Sequence, residues 1–303
     1  MSTSWLFWTP TLIWASTWHV ILYQLGPVPP MDSVAYRFGL ASVLLLGWTA
    51  ARAGWPRFTA REHAALAVTG TIQYGLNYVL VYLAERHIPS GLVAVLFTWM
   101  VFGNAAAGAW FFGQRLSGRH WLGAAGGVVG VALIFQPEIA SAGGRPDAGL
   151  GLVLGLGAVA AAVAGNVCTL KLAHAVQPRG VGLPAVLGAS MAWGAALLVT
   201  VSLLVDGRLH WDSRPAYLAS LVYLAVFGSV VAFLTYFQLA QRVGPGRASL
   251  MSIVIPVVAL AVSAALEGWR PSGLSLAGMA LSLSSLWLAT RPARATDEPG
   301  RIA

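Results

Sequence analysis

Ser16, His19 and Tyr23 recur at three- and four-residue spacing in a long apolar stretch, so a helix there carries them on one face. His19 is the ionisable side chain nearest the middle of any such stretch. It is read either as a neutral imidazole hydrogen-bonded to a hydroxyl or carbonyl, or as a donor or proton acceptor facing a cavity. Downstream, Tyr74, Tyr78 and Tyr82 form one i, i+4 stripe, and Thr69, Gln73 and Asn77 form another about 100° away. Hydrocarbon cannot satisfy amides and hydroxyls, so this helix is expected to line a wet cavity or to glue helices together. Trp18, Trp99, Asn104, Trp193 and Tyr236 also lie well inside apolar stretches. If they converge, they make a forgiving cage for aromatic rings, and if not, they are packing.

What is missing narrows the chemistry further. The six His are dispersed, and no acidic cluster accompanies them, so no convergent catalytic set is visible and an enzyme is not expected. A selectivity filter or charged ring of the kind a channel needs is also not visible. The single cysteine, Cys168, excludes an intramolecular disulfide and a cysteine-based metal site, and no cofactor is expected. Asp32, Glu62, Glu85, Glu138, Asp147, Asp206, Asp212 and Glu267 all fall in connections or end turns. A carboxylate at membrane depth, which would bind a proton or an organic cation, is therefore not expected. That favours a zwitterionic or neutral solute moving by facilitated uniport, with proton coupling through His19 as the alternative.

The elements that would position these residues are membrane helices. Of 303 residues, 57% are hydrophobic and 9% charged, far below the roughly 25% charged residues of a soluble domain. The apolar stretches run near twenty residues, the length at which a helix crosses a bilayer, and strands of a barrel would be half as long. Ten spans are read at about 4–25, 31–50, 62–83, 89–113, 119–136, 148–171, 182–205, 214–240, 247–267 and 272–290. The Gly/Pro-rich segment 137–147 joins two halves, residues 1–143 and 144–303. The start of the chain lacks the basic region of a signal peptide, so the first span is expected to be retained.

The net charge of +8 reads as topology, because no basic cluster has the density that nucleic-acid binding needs. With the N-terminus in the cytoplasm, twelve of the eighteen Lys and Arg face that side, Arg52, Arg115 and Lys171 among them. The other six are Arg37, Arg86, Arg145, Arg208, Arg214 and Arg270. The positive-inside rule then places both termini in the cytoplasm. Arg37, about six residues inside the outer end of span 2, is expected to snorkel outward or hold a loop, or else to meet a carboxylate. Lys171 is expected to anchor at the interface. Trp5, Trp8, Trp55, Trp121, Trp211 and Trp269 sit near span ends, as an interfacial belt requires.

The halves are weak repeats. Asn77-Tyr78 followed by Tyr82-Leu83-Ala84 has a counterpart in Phe233-Leu234 followed by Gln238-Leu239-Ala240. Five spans in each half, an odd number, would insert the second half upside down, an architecture shared by many carriers with a midplane site. Gly123, Gly126, Gly127 and Gly130 in span 5 and Gly151 and Gly155 in span 6 form small-residue surfaces for close helix packing, with a weak dimer as the alternative to a monomer. Gly103 and Pro256 are candidate hinges, or static kinks.

Ile13-Trp14-Ala15-Ser16-Thr17, Tyr36-Arg37-Phe38, the Asn77–Ala84 segment, and Pro256 followed by Glu267 resemble the drug/metabolite transporter superfamily and its EamA-type repeat. The pattern, rich in membrane Trp and Tyr, is most similar to the YddG-type aromatic amino-acid exporters. Gly103 and Gln114 stand where the pattern often has Pro and Glu. The resemblance implies an all-α inner-membrane protein of ten helices in two inverted five-helix repeats, with a central cavity and alternating access. It also implies small amphipathic substrates, aromatic amino acids above all. His19, Asn77, Tyr78, Tyr82 and Trp99 are the residues expected to line the site, with Trp18, Gln73, Asn104, Trp193 and Tyr236 around them.

Overall fold

The computed structural model describes residues 2–112, 118–140, 147–243, 248 and 251–290. All regular structure among them is helical. In chain order the helices are α1 (Thr3–Ile21), α2 (Pro30–Ala53), α3 (Ala60–Glu85), α4 (Ser90–Leu96, continuing through Phe97–Trp99 into Met100–Phe112) and α5 (Gly118–Ala140). They continue with α6 (Ala148–Val176), α7 (Leu183–Asp206), α8 (Pro215–Val243), α9 (Met251–Leu266) and α10 (Gly273–Thr290). Five of them, α2, α3, α6, α7 and α8, are long and apolar enough to cross a membrane. Shorter apolar helices make up α4, α5, α9 and α10. Pro137, expected in the mid-chain connection, instead lies within α5, while Ala142 and most of that connection fall outside the described residues.

Local sequence sets the helix ends. The Thr59 hydroxyl accepts the Glu62 N–H at 3.3 Å, and the Glu62 carboxylate accepts the Thr59 N–H at 2.7 Å, a reciprocal cap that opens α3. Pro30, Pro184 and Pro215 occupy first-turn positions, where a missing N–H costs nothing.

The packing order is specific. α5 lies along α10, α2 along α7, and α4 against α9. α3 packs on α6 and α7, and α8 on α1 and α2. α4 meets α6 and α9 meets α1. The α5–α10 crossing depends on glycine: a Cβ on Gly130 would sit 2.8 Å from the Gly278 carbonyl oxygen. The Gly126–Gly130 stripe is thus spent inside the chain.

Two helices leave α geometry at corresponding places. Thr71–Leu76 of α3 and Leu224–Val231 of α8 are π-helical, and the Asn77 N–H reaches back five residues to the Ile72 carbonyl. Such stretches release backbone and side-chain groups from the regular ladder, and they recur at functional sites.

Trp5, Trp8, Trp55 and Trp211 are exposed on the surface, as expected of a belt, whereas Trp269 is buried. Arg37 does not snorkel. It is 1% exposed, and its Nε donates to Ser229 Oγ at 3.0 Å. Lys171 places its ammonium 4.1 Å from the centre of the Phe111 ring.

Candidate functional site

α1, α3, α4, α6, α8 and α9 enclose a cavity of about 810 Å³ of empty space, its open mouth included. Its walls are aromatic: Trp14 and Trp18 from α1, Tyr78 from α3, Phe97 from α4, and Phe233 and Tyr236 from α8. Trp14 meets Phe233 at 5.4 Å and Tyr236 at 5.3 Å between ring centres, and Trp18 meets Phe97 edge-on at 4.9 Å. These are the spacings that ring quadrupoles prefer. The π-helical part of α8 fixes one wall, because the Gly228 carbonyl accepts the Trp14 indole N–H at 3.2 Å.

A polar strip crosses this cage. Gln73 Nε2 donates to Asn166 Oδ1 at 3.2 Å, and Asn77 Nδ2 donates to the Gln73 carbonyl at 3.3 Å. The other polar atoms of these amides, Gln73 Oε1, Asn77 Oδ1 and Asn166 Nδ2, are buried without a partner, as is the Trp18 indole N–H. All four belong to cavity-lining residues. They offer acceptors and donors together, and a buried polar group left unpaired costs about 1–3 kcal/mol, so a ligand that pairs them gains by it. No lining residue carries a charge. Gly165 leaves the space that the Gln73 amide occupies, since a side chain there would collide with Oε1.

The lining runs from Ile21, Val81 and Ala94 at one end to Met251 and Ser252 at the other. Beyond the first end the helices are tied to one another. Tyr82 donates to Gln24 Oε1 at 2.7 Å. Glu267, just past α9, accepts the Ser90 N–H at 3.1 Å and the Ser90 hydroxyl, and lies 3.2 Å from His19 Nδ1. Tyr217 and Ser33 hydroxyls meet at 3.0 Å. Asp32 accepts from the Ser202 hydroxyl and from the His210 N–H at 2.8 Å.

The expected site is thus gathered in part. Trp18, Gln73, Asn77, Tyr78, Tyr236 and Pro256 line the cavity. His19 does not: it faces Glu267 at the tied end, with Tyr23 edge-on at 5.6 Å. Tyr82 is buried above the cavity on Gln24. Trp99 packs on Phe102 at 6.2 Å and, like Asn104, is not among the lining residues. Trp193 is 43% exposed and gives its indole N–H to His63 on the outer surface of the bundle. Gly103 lies within a regular helical turn, where a Cβ would meet Val163 at 2.6 Å. The departure from α geometry in α4 comes earlier, at Phe97–Trp99. Phe97, Asn166 and Phe233 are lining residues that were not expected, and Trp14 joins Trp18 in the wall. Asn166 had a signal, an isolated amide in an otherwise apolar helix, which needs a partner such as Gln73.

The acidic residues also depart from expectation. Their place in connections and end turns argues against a carboxylate at membrane depth, yet Asp32 and Glu85 are buried in the protein and Glu267 is nearly so. The ends of these helices turn inward on each other, so distance along the chain did not measure depth in the protein.

Helices of this length and apolarity, packed around an uncharged aromatic cavity, define a multi-pass membrane transporter. The chain belongs to the EamA-like transporter family, which matches residues 1–136 and 149–291. It is 27% identical over 291 residues to a protein of Salmonella typhimurium named "Probable amino-acid metabolite efflux pump", covering 91% of each chain. It is also 27% identical over 302 residues to the "Probable terminal-alkyne amino-acid exporter" of Streptantibioticus cattleyicolor, covering 98% of this chain and 97% of that one. One solved crystal structure shares the fold, with a TM-score of 0.66 and 20% identity over 95% of this chain and 96% of that one.

Proposed function

We propose that this protein exports amino acids across the inner membrane, preferring aromatic ones, by alternating access around the aromatic cavity. The observation that carries this is the set of four unpartnered polar atoms, on Trp18, Gln73, Asn77 and Asn166, held among six aromatic rings. The acceptors suit an ammonium group and the donors a carboxylate, while the rings suit an indole or phenyl side chain. Each favourable ring pair adds about 0.5–1.5 kcal/mol beyond burial. The amino-acid exporters among the relatives support the same substrate class.

The packing pattern supports two inverted five-helix repeats. Exchanging each helix for the one five places along maps the α3–α6 contact onto α8–α1, α3–α7 onto α8–α2 and α4–α6 onto α9–α1. The two π-helical stretches exchange in the same way. The separate family matches on either side of the 143/144 boundary agree with it. With the termini in the cytoplasm, the tied end is the outer one. The cavity lining contains no Asp, Glu or His, which supports facilitated uniport of a zwitterion. The buried Glu85 favours the second reading, a proton-linked cycle.

The test is counterflow in proteoliposomes. Labelled Trp should exchange against unlabelled Trp, Phe and Tyr, more slowly against Ala or Gly, and not against an organic cation. Exchange for the cation with none for any amino acid would overturn the assignment.

A further inference from the structure

Glu85 and Arg37 lie outside the cavity lining and are both deeply buried. Glu85, the last residue of α3, is 3% exposed, and neither carboxyl oxygen has a hydrogen-bond partner. Arg37 of α2 spends its Nε on Ser229, while Nη1 has no partner. The two form no ion pair among the described residues, and the Arg37 guanidinium lies 4.5 Å from the centre of the Tyr78 ring instead. The carboxyl whose charge acts on Glu85 is that of Glu267, at the end of α9.

Arg37 is thus engaged by Ser229 and by the Tyr78 ring and not by Glu85. Glu267 has claimed the nearby donors: the Ser90 N–H and hydroxyl from α4, and the His19 imidazole from α1. His87, two residues beyond Glu85, pairs with Asp147 at 3.6 Å just before α6. Among the described residues none donates to Glu85. A buried carboxyl without a donor ionises at high cost, the more so beside the charge of Glu267, and Glu85 is the one left to hold a proton.

We propose that Glu85 is a proton-binding site whose occupancy closes the Glu267 end of the carrier. Held as a neutral acid, Glu85 lets α3, α4 and α9 pack together over the cavity. When the Glu267 end parts, the Glu85 O–H bond breaks, the proton leaves to water, and Arg37 Nη1 is the cation free to meet the carboxylate. Closing the end takes up a proton from water in return. Linkage requires the reverse effect as well, so acid favours the state closed at this end and alkali the state open there. The proposal rests on the alternating-access reading for its states, but not on the identity of the substrate.

The test needs no substrate. The full chain is placed in lipid bilayers in a Cys168→Ser background, with spin labels on Ser213→Cys and Ala265→Cys, on two exposed sites at the Glu267 end. Wild type should shift from a short to a longer label distance as pH rises, the ratio of states changing by no more than about tenfold per pH unit, as one proton dictates. Glu85→Gln should hold the short distance at every pH. Infrared spectra of the same samples should show a protonated-carboxyl band at the pH where the end is closed, missing from Glu85→Gln. Glu85→Asp, which keeps the carboxyl, should retain both the band and the pH response with a displaced midpoint. A wild-type distance that ignores pH, or a response and band unchanged in Glu85→Gln, would overturn the proposal. Failure of amino-acid counterflow would leave these readouts intact and would count against the substrate assignment alone.

Discussion

His19 Nδ1 lies 3.2 Å from Glu267 Oε1, so one contact joins the last turn of α1 to the residue that follows α9. Ser90 adds α4 to the same carboxylate through its N–H and its hydroxyl. Three helices that wall the cavity are thus fastened at one point, and opening that end must break it. Replacing His19 by Ala should raise the rate at which an impermeant thiol reagent added from the outer side modifies Ala94→Cys, a buried position lining the cavity at this end, in a Cys168→Ser background. Equal rates in the variant and the parent would mean that the contact carries no closing energy. Because His19 lies off the cavity, its loss should leave the relative preference among amino acids unchanged.

The polar strip yields a second prediction. Asn166→Ala removes the partner of the Gln73 amide and one of the unpaired donors. At about 1–3 kcal/mol for a buried polar group left unmatched, the apparent affinity for Trp should fall by about tenfold or more. The concentration dependence of counterflow measures it. Asn166→Leu tests whether size alone matters and should be no better than Ala.

Gly165 gives a third. Any side chain at this position collides with the Gln73 amide, so Gly165→Val should displace Gln73 into the cavity. Transport should fall at least as far as in Gln73→Ala while the folded protein is still recovered from the membrane. Wild-type transport by Gly165→Val would show that the Gln73 position is not needed.

Much of the fold could be read from composition and spacing, because hydrocarbon leaves the backbone little choice but helix. The site was harder. On α3 the two expected stripes assumed regular α geometry, but the π-helical Thr71–Leu76 segment inserts about one extra residue into a turn, a rotation of about 100°. Gln73, Asn77 and Tyr78 reach the cavity, while Thr69 turns back to the Ala65 carbonyl and Tyr74 enters the core against Phe38. Trp193 misled for a different reason: mid-span position fixes depth along a helix, but not the side it faces. Glu85 misled because the ends of helices can be as buried as their middles once they fold over one another. The partnership of Gln73 with Asn166, 93 residues away, had no local signature at all.

Orientation can be checked by labelling an exposed connection. Ser213 lies exposed in the connection before α8, on the side opposite the N-terminus in the inverted arrangement. Ser213→Cys should be modified by an impermeant reagent in intact cells. Modification only after lysis would reverse the assignment of the two ends.

The most direct measurement is binding of Trp to the purified protein in lipid, comparing wild type with Tyr78→Ala, Tyr236→Ala and Trp193→Ala. Tyr78 and Tyr236 line the cavity, and Trp193 lies outside it on His63, which makes Trp193→Ala the control. The cavity assignment predicts saturable binding that weakens by about three- to tenfold in each Tyr variant, the loss of one or two ring contacts, and that is unchanged in Trp193→Ala. Binding of equal strength in all four proteins, or weakened only by Trp193→Ala, would contradict it.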